Sequence, residues 1–145
     1  MTAALLFHPL IQVVATLLAI YVLGLGLQRF RSLHWHQRVA FKRKAHINFG
    51  FATLGLWLAG LFGGLIMVRI WWQGFLITGT HGQTALIMFP LLLFGLFSGL
   101  YMDRRKKKRK VLPLLHGLNN LLLLALALYQ ANTGWWVYSV YVLGQ

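Results

Sequence analysis

Four apolar segments, each long enough to cross a lipid bilayer, occupy most of this 145-residue chain. A transmembrane helix needs about 20 mostly apolar residues, and such stretches lie near 8–27, 46–68, 81–101 and 112–142. The connections between them are too short to hold a second domain. The sequence therefore predicts an all-α, membrane-spanning up-down four-helix bundle, with residues 1–145 forming one domain. Pro9 suits the first turn of a helix, which predicts that the first helix begins at His8.

The basic residues are concentrated in two of the three connections. Six of the 14 Lys and Arg residues lie between residues 29 and 44, seven form the run 104–110, and the remaining one is Arg69. Basic loops stay on the cytoplasmic side of a membrane. Both basic loops are therefore predicted to face the cytoplasm or the plastid stroma, and both termini the opposite side, in a bacterial inner membrane or a thylakoid. The basic loops are also expected to contact anionic lipid. Nucleic-acid binding is disfavoured for the run 104–110, because it lies between two membrane spans.

The composition excludes several kinds of chemistry. Asp103 is the only acidic residue and the chain has no cysteine. Catalysis by paired carboxylates is therefore impossible, and so are iron–sulfur clusters and covalently attached c-type haem. No glycine-rich nucleotide-binding motif is present.

One histidine stands at the start of each apolar segment. These are His8, His46, His81 and His116, separated by 38, 35 and 35 residues. Alternate helices of an up-down bundle begin on the same side, so His8 faces His81 and His46 faces His116. Ionisable side chains in membrane segments are usually functional, and paired imidazoles fill both axial positions of a haem iron. The pairs predict two b-type haems bound through iron; a lone histidine that caps its helix or reaches the surface is the alternative.

Further residues are candidates for haem contact. Gly60 and Gly95 each follow a histidine by 14 residues, nearly four helical turns, and are expected to border the haem of the opposite pair. Packing between helices through small residues is the alternative, and the same step from His8 and His116 gives Val22 and Gln130. Gln130 is a candidate hydrogen-bond donor to a propionate or a quinone-like head group. Arg69 is a candidate partner of a propionate.

The chain resembles the cytochrome b561 family, in particular its small four-helix members from cyanobacteria, plastids and other bacteria. The resemblance covers nearly the whole chain and rests on the motifs HPLIQ, HINFG with the later GLFGGL, THGQTAL, and LHGLNN with the later YQANTGWW. It implies two b-type haems, with the first histidine paired to the third and the second to the fourth. Better-known members take electrons from ascorbate or quinol and pass them to ferric iron or monodehydroascorbate. The chain lacks the extra helices of the ascorbate-reducing form, and no helix supplies two ligands as in the bacterial quinol-oxidising form.

The predicted function is transmembrane electron transfer, with His8/His81 on the periplasmic or lumenal side and His46/His116 on the cytoplasmic or stromal side. Quinol or a soluble carrier is a possible redox partner, and an electron carrier is favoured over a stand-alone enzyme. The alternative is a non-catalytic haem- or chlorophyll-binding subunit of a larger photosynthetic or respiratory complex, or of a homo-oligomer. Facing histidine pairs favour haem, whereas single unpaired histidines favour chlorophyll.

Overall fold

The protein is an all-α bundle of four long helices. A computed structural model describes residues 2–144, with side chains from residue 5 onward. The helices are α1 (Thr2–His34), α2 (Arg43–Trp72), α3 (Thr80–Arg104) and α4 (Val111–Tyr138). A short π-helical turn, Ser139–Leu143, continues α4. The described residues contain no strand, and the predicted all-α four-helix architecture is confirmed.

The first helix is longer than predicted. It begins at Thr2, so Pro9 lies inside the helix, and the prediction that the helix begins at His8 is wrong. Proline removes one backbone hydrogen bond, but the preceding residues are mostly Ala and Leu, which favour helix. At its other end α1 continues through Arg29 and Arg31 to His34, because basic residues stabilise the last turn of a helix. Hydropathy marks the part of a helix that can lie in lipid, not the residue where the helix ends.

The four helices form a closed ring around a common centre. Consecutive helices contact each other, most extensively within the hairpins α1/α2 and α3/α4, and α4 also packs against α1. Therefore α1 and α3 face each other across one diagonal of the bundle, and α2 and α4 face each other across the other. These are the two pairs of helices that carry the predicted histidine pairs.

The buried core lies at the same distance from the histidine of every helix. Its members follow that histidine by 7 or 8 and by 11 residues, and they are Ala15, Ala19, Leu54, Trp57, Met88, Leu92, Leu123, Leu124 and Ala127. Steps of 7 and of 3–4 residues keep side chains on one face of a helix in a bundle. The four histidines therefore begin the four stripes of residues that face the centre of the bundle.

The outer surface of the bundle is apolar. Leu17, Ile66 and Phe97 are more than half exposed, and each of the four helices is long and apolar enough to cross a membrane. Exposing such a surface to water would be unfavourable, whereas contact with the apolar tails of lipids is not. The chain is therefore an integral membrane protein whose helices contact lipid.

The two basic connections lie at the same end of the bundle. Arg43 at the start of α2 forms an exposed ion pair with Asp103 near the end of α3, which brings the connections 35–42 and 105–110 together. At the other end, the hydroxyl of Tyr141 donates to the carbonyl oxygen of Ile77 at 2.8 Å. We call these the basic end and the outer end.

Candidate functional site

The structure places one predicted histidine pair at each end of the bundle. At the outer end the rings of His8 and His81 face each other across the diagonal, with centroids 6.4 Å apart and planes inclined by 82°. His46 and His116 both lie at the basic end, on the diagonally opposed helices α2 and α4. His34, the last residue of α1, and His36, in the α1–α2 connection, are exposed and belong to neither pair.

Each imidazole packs against a glycine of its hairpin partner. A methyl group on Gly64 would lie 3.1 Å from Cε1 of His8, and one on Gly134 would lie 3.1 Å from Cε1 of His81. At the basic end, methyl groups on Gly26 and Gly99 would lie 3.5 Å from Cε1 of His46 and 3.3 Å from Cε1 of His116. We call Gly26, Gly64, Gly99 and Gly134 the contact glycines.

The contact glycines follow a repeat that the sequence interpretation missed. Each comes 18 residues after the histidine of its own helix, so that all four helices contain His-x17-Gly. Eighteen residues make five helical turns, which places histidine and glycine on one face at opposite ends of the span. Because only 15 of the 145 residues are glycine, four matches in four helices exceed what composition alone would give. The repeat is therefore present in the sequence itself, four residues beyond the 14-residue spacing of Gly60 and Gly95.

The two glycines predicted at the 14-residue spacing each contact an amide side chain of the hairpin partner. Gly60 and His8 line the same groove between α1 and α2, with a volume of about 340 Å³, and the Gln12 side chain contacts Gly60 from within the bundle. A methyl group on Gly95 would lie 2.8 Å from Oδ1 of Asn120, whose amide contacts the ring of His116. That these glycines border haems stays a prediction.

His116 is held at both ring nitrogens. The amide Nδ2 of Asn120 lies 3.1 Å from its Nε2, and Oγ of Ser98 lies 2.8 Å from its Nδ1. Because an amide NH₂ can only donate, Nε2 carries the lone pair and Nδ1 carries the proton. Nδ1–H therefore donates to Ser98, whose own hydroxyl donates to the carbonyl oxygen of Phe94 at 2.6 Å.

His81 is held by a closed chain of hydrogen bonds from α4. Its Nδ1 lies 3.1 Å from Oγ1 of Thr133, and this hydroxyl donates to Oε1 of Gln130 at 2.9 Å. Nε2 of Gln130 then donates to the carbonyl oxygen of His81 at 3.0 Å. With the Thr133 proton directed at Gln130, Nδ1–H of His81 is the donor, which leaves Nε2 as the free acceptor.

The remaining candidate residues are engaged within the protein. Both polar atoms of the Gln130 side chain take part in the chain of bonds at His81. Arg69 is exposed at the outer end of α2 and donates to the carbonyl oxygen of Gln73 at 2.9 Å. Their roles toward a propionate or a quinone-like head group stay predictions.

His8 and His46 lack the anchoring that the other two histidines have. Their buried Nδ1 atoms have no side-chain partner, and only the backbone of Gly60 and of Val22 offers these two rings a hydrogen bond. The hydroxyls that hold His116 and His81 belong to Ser98 and Thr133, each directly before a contact glycine. The corresponding residues on the first hairpin are Leu25 and Gly63, and neither has a hydroxyl.

The donor sets are pairs of imidazoles. Among the described residues, no group of three or more His, Cys, Asp or Glu side chains is arranged to hold a metal ion. Sites built by protein side chains alone usually have four ligands, whereas a haem iron needs only two axial ligands from the protein. No protein-family model, curated protein or solved structure matches this chain.

Proposed function

We propose that this protein carries electrons across a membrane through two b-type haems, one held by His8 and His81 and the other by His46 and His116. The observation that supports this most strongly is the 6.4 Å between the ring centroids of His8 and His81. A metal–imidazole bond is about 2 Å long and the ligating nitrogen lies about 1 Å from the ring centre, so two imidazoles on opposite sides of one metal ion have centroids about 6 Å apart. The outer pair has the spacing of two axial ligands.

The surroundings of the histidines fit a flat cofactor. The contact glycines let each ring lie against a neighbouring helix, and Ala59, Gly60 and Gly63 line the groove beside His8. The tautomers of His81 and His116 place the lone pair on Nε2, as a ligand atom requires; at His116 a metal ion would take the place of the Asn120 amide. A haem with two histidine ligands supplies one-electron transfer and has no open position for substrate, which supports a carrier rather than a stand-alone enzyme.

The bundle separates the two pairs by about one membrane thickness. His8 and Gly26 are 18 residues apart on α1, which corresponds to about 27 Å along the helix, and Gly26 marks the level of His46. The hydrocarbon core of a bilayer is about 30 Å thick. Each pair therefore lies near one membrane surface, where a redox partner can approach. The aliphatic and aromatic core between the pairs, with Trp57 and Leu92 buried at its centre, keeps ions and water out of the path.

The charge distribution supports an orientation for this transfer. The basic end carries the connections 35–42 and 105–110, and the positive-inside rule assigns such an end to the cytoplasm or stroma. His46 and His116 would then exchange electrons on that side, and His8 and His81 on the periplasmic or lumenal side. The basic surface suits anionic lipid or an acidic carrier, and quinol is a candidate donor. The diagonal pairing of helices also agrees with the pairing implied by the resemblance to the cytochrome b561 family.

Spectroscopy of the purified protein tests this proposal. Reduced-minus-oxidised spectra and haem extraction should give two b-type haems per chain, both low-spin. Replacing both His8 and His81 by Ala should leave one haem, and replacing both His46 and His116 should leave the other one. Replacing the exposed His34 and His36 is the matched control and should leave both. A folded chain without haem would refute the proposal, and extraction of chlorophyll would support the alternative of a pigment-binding subunit.

A further inference from the structure

We propose that the two histidines of each pair are unequal: His81 and His116 are the firmly held ligands, and His8 and His46 are the exchangeable ones. Thr133 and Ser98 are then positioning residues, which act on a haem only through the histidine that they hold. This inference rests on the proposed function. It concerns how the iron responds to small ligands, which the two-haem proposal alone does not specify.

The second hairpin holds its two histidines by side-chain hydrogen bonds. The ring of His116 is bonded at Nδ1 to Oγ of Ser98 at 2.8 Å. The ring of His81 is bonded to Thr133 at 3.1 Å, and Thr133 is itself bonded to Gln130 at 2.9 Å. A partner at Nδ1 fixes the tautomer and the orientation of a ligating imidazole and raises the basicity of Nε2. His81 and His116 are therefore the stronger ligands.

The first hairpin provides no such partner. No side chain forms a hydrogen bond with the buried Nδ1 atom of His8 or His46, and the only hydrogen-bonding groups at these two rings belong to the backbone of Gly60 and of Val22. The positions that would supply a hydroxyl hold Gly63 and Leu25. Packing against Gly64 and Gly26 positions these rings, and no side-chain hydroxyl holds them.

The groove beside His8 gives an incoming ligand a route. It has a volume of about 340 Å³ and is lined by His8, Ile11, Gly60, Gly63 and Met67. A water-sized or diatomic molecule needs far less room, since one water occupies about 30 Å³ of liquid. The weaker ligand of the outer pair thus borders an open space, and a small iron-binding molecule such as carbon monoxide or imidazole can replace it there.

Single substitutions within one pair test the inequality. In His8→Ala the anchored His81 remains, so the outer haem should be retained in a high-spin form that binds carbon monoxide or added imidazole. In His81→Ala only the unanchored His8 remains, and haem retention should be about 10- to 100-fold weaker, the usual effect of losing support around a metal ligand. Equal retention in the two variants would overturn the inference. Two haems in the unsubstituted protein would still uphold the proposed function, and their absence would refute the proposed function first.

Substitutions that add or remove the anchor provide a second test that leaves all four histidines in place. Gly63→Ser should give His8 a hydroxyl partner, since a side chain at position 63 meets no atom within 4 Å. It should lower the midpoint potential of the outer haem and slow its reaction with carbon monoxide, because a more basic imidazole favours ferric iron. Gly63→Ala, which adds the carbon without the hydroxyl, is the control.

Thr133→Val removes the hydroxyl that holds His81 while conserving shape, and it should raise the midpoint potential of the same haem. Thr133→Ser should restore it, which a merely structural defect would not allow. The basic-end haem should keep its potential in all of these variants. A potential that is the same in Gly63→Ser and Gly63→Ala, or in Thr133→Val and the unsubstituted protein, would overturn the inference.

Discussion

Replacing a contact glycine by alanine should disturb one histidine pair while sparing the rest of the bundle. In Gly64→Ala the added methyl group would lie 3.1 Å from Cε1, 3.5 Å from Nδ1 and 3.6 Å from Nε2 of His8. Carbon atoms in favourable contact are about 3.5–4.0 Å apart. The ring of His8 must therefore move by about half an ångström, which is the tolerance within which a binding site has to be held.

The energetic cost follows from two opposing effects. Forcing an extra carbon into a packed interior costs about 1–3 kcal/mol, whereas exchanging Gly for Ala inside a helix stabilises it by about 1 kcal/mol. Gly55 lies on the same helix, and a methyl group there meets nothing within 4 Å. Gly55→Ala should therefore stabilise the helix without the cost of forcing an extra carbon into a packed interior. Relative to this control, Gly64→Ala should lower the free energy of unfolding by about 1–3 kcal/mol.

Two measurements on detergent-solubilised protein check this prediction. Unfolding followed by far-UV circular dichroism gives the difference in stability between Gly64→Ala and Gly55→Ala. Haem extraction should show that Gly64→Ala loses part of the outer haem and keeps the basic-end haem, while Gly55→Ala keeps both. Equal stability and equal haem content in the two variants would refute the argument that contact with Gly64 positions His8.

Four further substitutions test other parts of the structure. Asp103→Asn should lower the free energy of unfolding by no more than about 1 kcal/mol, and should leave it unchanged at high salt, because the ion pair with Arg43 is exposed. A loss of stability that does not depend on salt would contradict this. The chain has no cysteine, so Lys107→Cys and Phe75→Cys should react with an impermeant thiol reagent from opposite sides of the membrane, and labelling from one side would contradict the bundle topology. Gln130→Leu should lower the free energy of unfolding by about 1 kcal/mol, because it removes the hydrogen bond from Gln130 to the carbonyl oxygen of His81; an unchanged stability would count against that bond.

Much of the bundle follows directly from the sequence. Segment length and hydropathy predict four helices, and the up-down order alone determines that His8 shares an end with His81. The uneven basic charge also agrees with the structure, since both basic connections lie at one end, joined by Arg43 and Asp103. These conclusions need only the length of each apolar segment and the order of the four spans along the chain, and both can be read from the sequence.

The contacts of each histidine could not be predicted in the same way. Whether His8 meets position 60 or position 64 depends on the register between α1 and α2, and a shift of one turn exchanges the two. The anchoring by Ser98 and Thr133 depends on the same register, because each hydroxyl acts on a histidine of the neighbouring helix. The sequence does contain the repeat His-x17-Gly, but only the packed structure shows that the glycine receives the imidazole of the hairpin partner.

That register also explains why glycine recurs at the 14-residue spacing in only two helices. The residue 14 after one histidine faces the residue 4 after the histidine of the hairpin partner. Gln12 and Asn120 each lie four residues after a histidine, and they contact Gly60 and Gly95, respectively. In the third contact the residue four after the histidine is Gly50, and it lies against Val22, whose Cγ1 would be 3.8 Å from a methyl group on the glycine. Each contact needs a small residue on one of its two sides, and either helix of the hairpin can supply it. Packing between hairpin partners, set by the sum of two side-chain volumes, therefore accounts for the incomplete pattern, whereas the 18-residue glycines are present in all four helices because each of them receives an imidazole.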